Sequence, residues 1–334
     1  MTNGTRADEA VRVVRADKGS LLVAAAGGEP ARVTLARDGL AELDGGRAVP
    51  TVGDWVELDD GQVRMIRTRT SALVRDSAGE TSREQVLAAN VDVVLVVEHL
   101  DPDPDLGRVE RMLTLAWRSG ARPVVVLTKA DLVPDPDGMA RDVAQAAIAV
   151  DVHAVSAASE DGLAPLRALL TSGTTLVVVG PSGAGKSTLV NALAGRDVMS
   201  TGDRRESDGR GRHTTTHREL VALTGGAVLI DTPGIRGVGV VADDEALDAT
   251  FSDVAELVAR CRFADCGHAG EPGCAVAAAL ASGELPRRRY DSWCKLAREA
   301  AFQARRADAR LAAQERARWK RIAQDNRRDA RVRP

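Results

Sequence analysis

Residues 176–188 read LVVVGPSGAGKST, and this stretch decides the fold. Residues 176–179 are a short apolar run of the kind that forms a buried strand, residues 180–187 fit G-x-x-x-x-G-K-S, and 187–194 continue as a helical run. Glycines at 180, 183 and 185 let backbone N–H groups turn inward around phosphate oxygens, and the following helix N-terminus adds the positive end of its dipole. The spacing predicts a nucleotide cradle formed by Gly180, Pro181, Ser182, Gly183, Ala184, Gly185, Lys186, Ser187 and Thr188. In it Lys186 reaches the β- and γ-phosphates and the Ser187 hydroxyl holds Mg²⁺.

Outward from this loop, apolar runs at 91–97, 123–127, 152–155 and 227–230 alternate with amphipathic stretches such as 106–118 and 139–149. Such alternation predicts an α/β domain with a mainly parallel sheet, helices on both faces, and ligands at the carboxyl ends of the strands. Residues 231–234, DTPG, close the last run. An Asp231 at a strand end suits Mg²⁺ held through water, and the Gly234 N–H suits contact with a γ-phosphate. Alone, DTPG is also a plain turn sequence; behind a phosphate loop and a strand it takes the nucleotide reading.

Residues 127–131, LTKAD, and the Ser156–Ala157 pair each close a strand. They resemble the guanine-recognition elements of GTPases, usually N-K-x-D and S-A. Asp131 then accepts from the guanine N1–H and exocyclic amine, the Lys129 stem covers the base with Ala130 beside it, and the Ala157 N–H meets O6. Thr128 replaces the usual asparagine. Thr-Lys-Ala-Asp is equally a common helix start. The recognition elements precede the phosphate loop and DTPG follows it, an order that resembles a circularly permuted GTPase. The segment around DTPG therefore leads straight into the C-terminal part of the chain.

Between loop and DTPG, residues 209–220 read GRGRHTTTHREL. Thr215 is positioned to close onto Mg²⁺ when a γ-phosphate is present. Ile235 stands where many GTPases carry the glutamine that orients water, so His213 is the candidate for that task, by hydrogen bonding or as a base. A surface-loop histidine with no role reads the same way.

The chain of 334 residues is 44% hydrophobic and 28% charged, which excludes wholesale disorder. It has no long uncharged apolar run and no signal-peptide pattern, so a cytoplasmic protein without membrane segments is expected. Net charge is -3, divided as 0 over residues 1–75, -13 over 76–286 and +10 over 287–334. A basic end of this kind suits a polyanion such as RNA, or simply a solvated charged helix. Short β-type runs at 11–14, 20–25, 31–35, 54–58 and 62–67 suggest a small barrel of the OB-fold or SH3-like kind. Cys261, Cys266, His268 and Cys274, spaced C-x4-C-x-H-x5-C, suit a closed structural Zn²⁺ site; a redox thiol cluster is the alternative, and Cys294 is left over.

Together these features resemble the ribosome small subunit-dependent GTPase family RsgA, also called YjeQ. The most specific signals are the permuted order, the string GRHTTTH, and the cysteine cluster followed by Ala-Val. The resemblance implies a multidomain chain: an OB-fold β-barrel over 1–75, a linker over 76–90, a circularly permuted α/β P-loop GTPase domain over 91–250, and a mainly helical zinc-binding domain with a basic tail over 251–334. It implies GTP hydrolysis to GDP, stimulated by the small (30S) ribosomal subunit, in that subunit's late maturation, with rRNA as partner and His213 as catalytic residue; a monomer is expected. On residues alone an RNA-binding scaffold and a P-loop kinase or ATPase stay open.

Overall fold

The structure is a computed structural model that describes residues 10–17, 19–25, 27–76, 84–200, 218–231 and 243–307. Contacts gather the chain into two compact units, residues 1–74 with 86–238 and residues 75–85 with 239–334.

In the first unit, β1 (Val11–Asp17), β2 (Ser20–Ala24), β3 (Ala31–Thr34), β6 (Trp55–Asp59) and β7 (Gln62–Ile66) correspond to the five runs legible in the sequence. They close in the order β1-β2-β3-β7-β6-β1, antiparallel except for a parallel β3–β7 contact. Alternation puts Val13, Leu21, Val23, Val33, Val56 and Val63 inside. This five-strand closure is the OB-like barrel. A hairpin, β4 (Ala41–Leu43) and β5 (Gly46–Ala48), is added to it. Its turn is Asp44–Gly45, both at positive φ (48° and 78°), a conformation that Asp-Gly adopts readily. Strands β8 (Ala72–Asp76) and β9 (Glu84–Ala89) pair as a separate two-stranded sheet, β8 in the last residues read as barrel and β9 in the stretch read as linker.

The α/β part follows. Its sheet runs β12 (Asp151–Ala154), β11 (Arg122–Thr128), β10 (Val93–His99), β13 (Thr175–Val179), β15 (Val228–Asp231) and β14 (Arg218–Ala222). The first five are parallel; β14 is antiparallel to β15. One face of the sheet packs Val93, Leu95, Val97, Val124, Val126 and Leu176 against Leu163 and Leu166 around α3 (Ala164–Arg167) and against Leu189, Val190 and Leu193 of α4 (Lys186–Ala194). Helix α1 (Leu106–Ser119) contacts β10 and β11, and α2 (Pro136–Ala146) contacts β12. Strand β14 also pairs antiparallel with β1, so barrel and α/β sheet form one hydrogen-bonded surface.

The second unit is helical on both sides of the cysteine loop: α5 (Asp244–Thr250) and α6 (Ser252–Ala259) precede it, and α7 (Ala275–Ser282) and α8 (Arg287–Ala307) follow it. Among the described residues no helix is long and apolar enough to cross a membrane.

Candidate nucleotide site and metal centre

The phosphate loop lies between the carboxyl end of β13 and α4. Gly180 has φ 148°, and a Cβ there would stand 2.1 Å from the Val97 carbonyl of the neighbouring strand, so only glycine lets the loop leave the sheet at this point. Gly185 caps α4 in the left-handed region at φ 73°, with its carbonyl accepting from the Leu189 N–H at 2.9 Å. Ala184 is buried between them, whereas Ser182, Gly183 and Thr188 are exposed. The Lys186 ammonium donates to the carbonyls of Gly180, at 3.0 Å, and Pro181, so its head is held over the loop's own backbone. Ser187 is half-buried in the first turn of α4.

Thr128 ends β11, one strand beyond β10. Its side chain is buried, and its hydroxyl donates to the Ala184 carbonyl at 2.8 Å and lies 3.2 Å from the Glu98 carbonyl. A single hydroxyl thus ties the TKAD segment to the phosphate loop across 56 residues of sequence. Lys129 takes a left-handed backbone (φ 62°), which lets Ala130 donate to the Val155 carbonyl at 3.1 Å and sets TKAD beside the Ser156–Ala157 turn. That turn is closed by the Ser156 N–H to the Asp161 carbonyl, 3.0 Å. Asp131 is exposed in a 3-10 turn over Ala130–Leu132. Asp231 ends β15, beside β13, and is half-buried. The structure therefore brings Thr128–Asp131, Ser156–Ala157, the phosphate loop and Asp231 to one end of the parallel sheet. His213, Thr215 and Gly234 lie outside the described residues.

Sequence reasoning missed a group next to this site. Glu98, at the end of β10, is 1% exposed, and its carboxylate accepts from Arg108 Nε (2.7 Å) and Nη2 (3.1 Å) on the first turn of α1. These hydrogen bonds hold the Arg108 guanidinium above its ordinary pKa. His99 Nε2 lies 3.3 Å from Glu98 Oε1, and Nδ1 lies 2.9 Å from the Pro102 carbonyl. The only sequence signal was a carboxylate at the end of an otherwise apolar strand.

In the second unit the ligand atoms of Cys261, Cys266, His268 and Cys274 all lie within 4.8 Å of one another. Cys261 and Cys274 sulfurs are each 3.6 Å from His268 Nδ1 and 4.0 Å apart. A tetrahedral Zn²⁺ with ordinary Zn–S bonds needs sulfurs ~3.8 Å apart, so the donor set fits. Glu271 draws the loop round by accepting from Gly267 (2.9 Å) and Ala269 (2.7 Å). The His268 N–H favours the Cys266 thiolate, but desolvation and the neighbouring Cys274 and Cys261 sulfurs push this thiol up to about 11. A cation bound among these sulfurs would favour their thiolate forms. Cys274 Sγ also caps α7, accepting from the Ala277 N–H at 3.3 Å. Cys294 stands outside the cluster, on α8.

A strand–loop–helix phosphate cradle with a guanine-type segment from earlier in the chain tied onto it defines a circularly permuted P-loop GTPase. A family profile described as RsgA GTPase matches residues 66–241. Curated relatives called small ribosomal subunit biogenesis GTPase RsgA are 51% identical over 317 residues in Streptomyces avermitilis (93% of this chain, 84% of the relative) and 48% identical over 317 residues in Streptomyces coelicolor (93% and 85%). Crystal structures of YjeQ from Thermotoga maritima (TM-score 0.63, 25% identity, 87% of this chain, 98% of that one) and of YloQ, a circularly permuted GTPase (TM-score 0.63, 26% identity, 91% and 98%), share the fold. The chain belongs to the RsgA GTPase family.

Proposed function

We infer that this chain hydrolyses GTP to GDP and phosphate in the late maturation of the small (30S) ribosomal subunit, binding the subunit with GTP and leaving it after hydrolysis. The observation that carries the reading is the Thr128–Ala184 hydrogen bond, which sets a base-recognition segment against the phosphate loop. The names of the curated relatives supply the subunit. In this reading Asp131, Lys129 and Ala157 read guanine; residues 180–188 hold the phosphates. Ser187, Thr215 and Asp231 hold Mg²⁺, which neutralises phosphate charge. Gly234 senses the γ-phosphate and His213 orients the attacking water. The Cys3His cluster holds one structural Zn²⁺. The three-part division at residues 75, 90 and 250, rRNA contact through the basic C-terminal segment, a monomeric state and a cytoplasmic location belong to the same reading.

The test is phosphate release from GTP and from ATP, with and without small subunits. Release from GTP stimulated by subunits, with little from ATP, is expected; unstimulated or ATP-driven release sinks the reading. His213→Ala removes the stimulated turnover while leaving GTP affinity in place.

A further inference from the structure

The buried carboxylate of Glu98 has no part in the chemistry above, yet the segment that it anchors touches the base-recognition elements at three points. The Glu98 carbonyl lies 3.2 Å from the Thr128 hydroxyl, the Leu100 N–H donates to the Thr128 carbonyl at 3.0 Å, and the Asp101 carbonyl accepts from Lys129 Nζ at 3.3 Å. Lys129 itself sits in a left-handed backbone conformation that a lysine rarely adopts unaided. Its head is held by the carbonyl of Asp101, so wherever residues 98–101 are set, the lysine stem follows.

The Glu98 side chain ties this segment, whose strand residues pair with β11, to the first turn of α1. It receives a two-pronged guanidinium from Arg108, whose own position is fixed because the Asp105 side chain caps α1 by accepting from the Arg108 N–H at 3.0 Å. His99 adds a brace, its two ring nitrogens lying between the Glu98 carboxylate and the Pro102 carbonyl. A carboxylate this deep is held rigidly only while its charged partner is present, because losing Arg108, itself one-third exposed, leaves the Glu98 charge desolvated and uncompensated.

We propose that the Glu98–Arg108 pair is a specificity-setting positioning element: by bracing residues 98–101 it holds Lys129, and with it Asp131 two residues on, in register with the purine, and sharpens the choice of guanine over adenine. The pair lies outside both the base-recognition segment and the phosphate loop. This rests on the reading of the site as a GTP site. Its effect falls on the base end, because the phosphate grip comes from backbone N–H groups and Lys186 on another segment.

The test uses the full-length protein as Glu98→Gln and as Arg108→Lys, the latter keeping the charge but losing the two-pronged geometry. Affinities for GDP and ADP are read by displacement of a fluorescent GDP analogue, and turnover at saturating GTP is read with small subunits. GDP affinity is expected to fall about tenfold with ADP affinity unchanged, a loss of one charge-assisted contact's worth of base recognition. Saturating turnover should change by less than about twofold, as for lost ground-state binding. A GDP and ADP loss in equal proportion means a merely structural pair and overturns the proposal, as does an unchanged GDP/ADP ratio in both variants. If Glu98→Gln does not fold, Arg108→Lys decides. A wild-type protein without preference for GDP overturns the GTP reading itself, and is recognised before any variant is compared.

Discussion

Thr128 stands where a guanine-recognition segment usually carries asparagine, and its geometry shows what the smaller side chain accomplishes. The hydroxyl is buried and its partner is the Ala184 carbonyl inside the phosphate loop. Thr128→Val keeps the shape and removes the donor, stranding a buried acceptor at a cost of about 1–2 kcal/mol. If that cost falls on the nucleotide-binding conformation, GDP affinity drops about 5–30-fold. Titration with a fluorescent GDP analogue checks this, and an unchanged affinity would show that the tie is incidental. The residue types of this site were legible because glycines 180, 183 and 185, Lys186 and Asp131 are chemical requirements that fall at fixed offsets. The Thr128–Ala184 bond and the Glu98–Arg108 pair were not. The first joins positions whose proximity arises only when β10 lies between β11 and β13, and the second depends on how α1 turns back onto the end of β10; no local pattern encodes either relation.

Elements followed their patterns wherever a run had one dominant period. Strands β10, β11 and β13 are apolar through their middles because both faces are covered there, and α1 carries its apolar residues at helical spacing. Strands β4, β5 and β14 escaped notice for different reasons. The first two are three residues each, with only the Asp44–Gly45 turn as a signal, and β14 (RELVA) emerges from a polar stretch and earns its conformation from partners on both sides. In the second unit, α8 is pinned by Arg289, which is buried. It donates to both Asp253 carboxylate oxygens (2.9 and 3.1 Å) and to the Thr250 carbonyl (2.8 Å), and stacks 4.4 Å from the Phe251 ring centroid. Arg289→Met keeps the stem but leaves Asp253 and a buried carbonyl without the cation; Asp253 is partly exposed, so about 2–4 kcal/mol of this unit's stability is lost. Urea unfolding followed by far-UV circular dichroism should show a lowered midpoint, and an unchanged one would mean that α8 is held by apolar packing alone. The cysteine loop makes a separate prediction. One zinc per chain is expected by elemental analysis, and its removal with a chelator should lower helicity, because Cys274 belongs to the proposed ligand set and caps α7. Purified protein with no metal and full helicity would contradict it.

At the scale of the whole chain, the order of the motifs disclosed the permutation, since recognition elements, phosphate loop and DTPG stand in sequence as three separable signals. The junction between barrel and α/β sheet was invisible there, because β1 and β14 are far apart in the chain and either could have remained an edge. Their pairing, Arg15 with Glu219 and Ala16 with Arg218, is reinforced by Arg12. Its guanidinium donates to Thr175 Oγ1 at 2.7 Å and to the Asn90 carbonyl at 3.4 Å, while lying 5.5 Å from the Trp55 ring centroid in the barrel. Desolvation lowers the pKa of Arg12 and the nearby Asp92 carboxylate opposes the shift, as expected of a cation built into a junction. Gly53 closes the joint: a Cβ there would meet the Ala89 carbonyl at 2.1 Å and Ile230 Cδ1 at 2.9 Å, and Ile230 is the residue before Asp231. Barrel and nucleotide domain should therefore unfold as one cooperative body, so that a nucleotide bound at one end stabilises the other. With Trp117→Phe, Trp293→Phe and Trp319→Phe in one chain, Trp55 fluorescence reports the barrel alone. GDP at a hundred times its Kd stabilises the body that binds it by about 2.7 kcal/mol, and for a body of this size the Trp55 melting transition should rise by about 5–10 °C. A barrel transition that stays put while GDP protects the nucleotide domain would show that the shared sheet parts before either half melts.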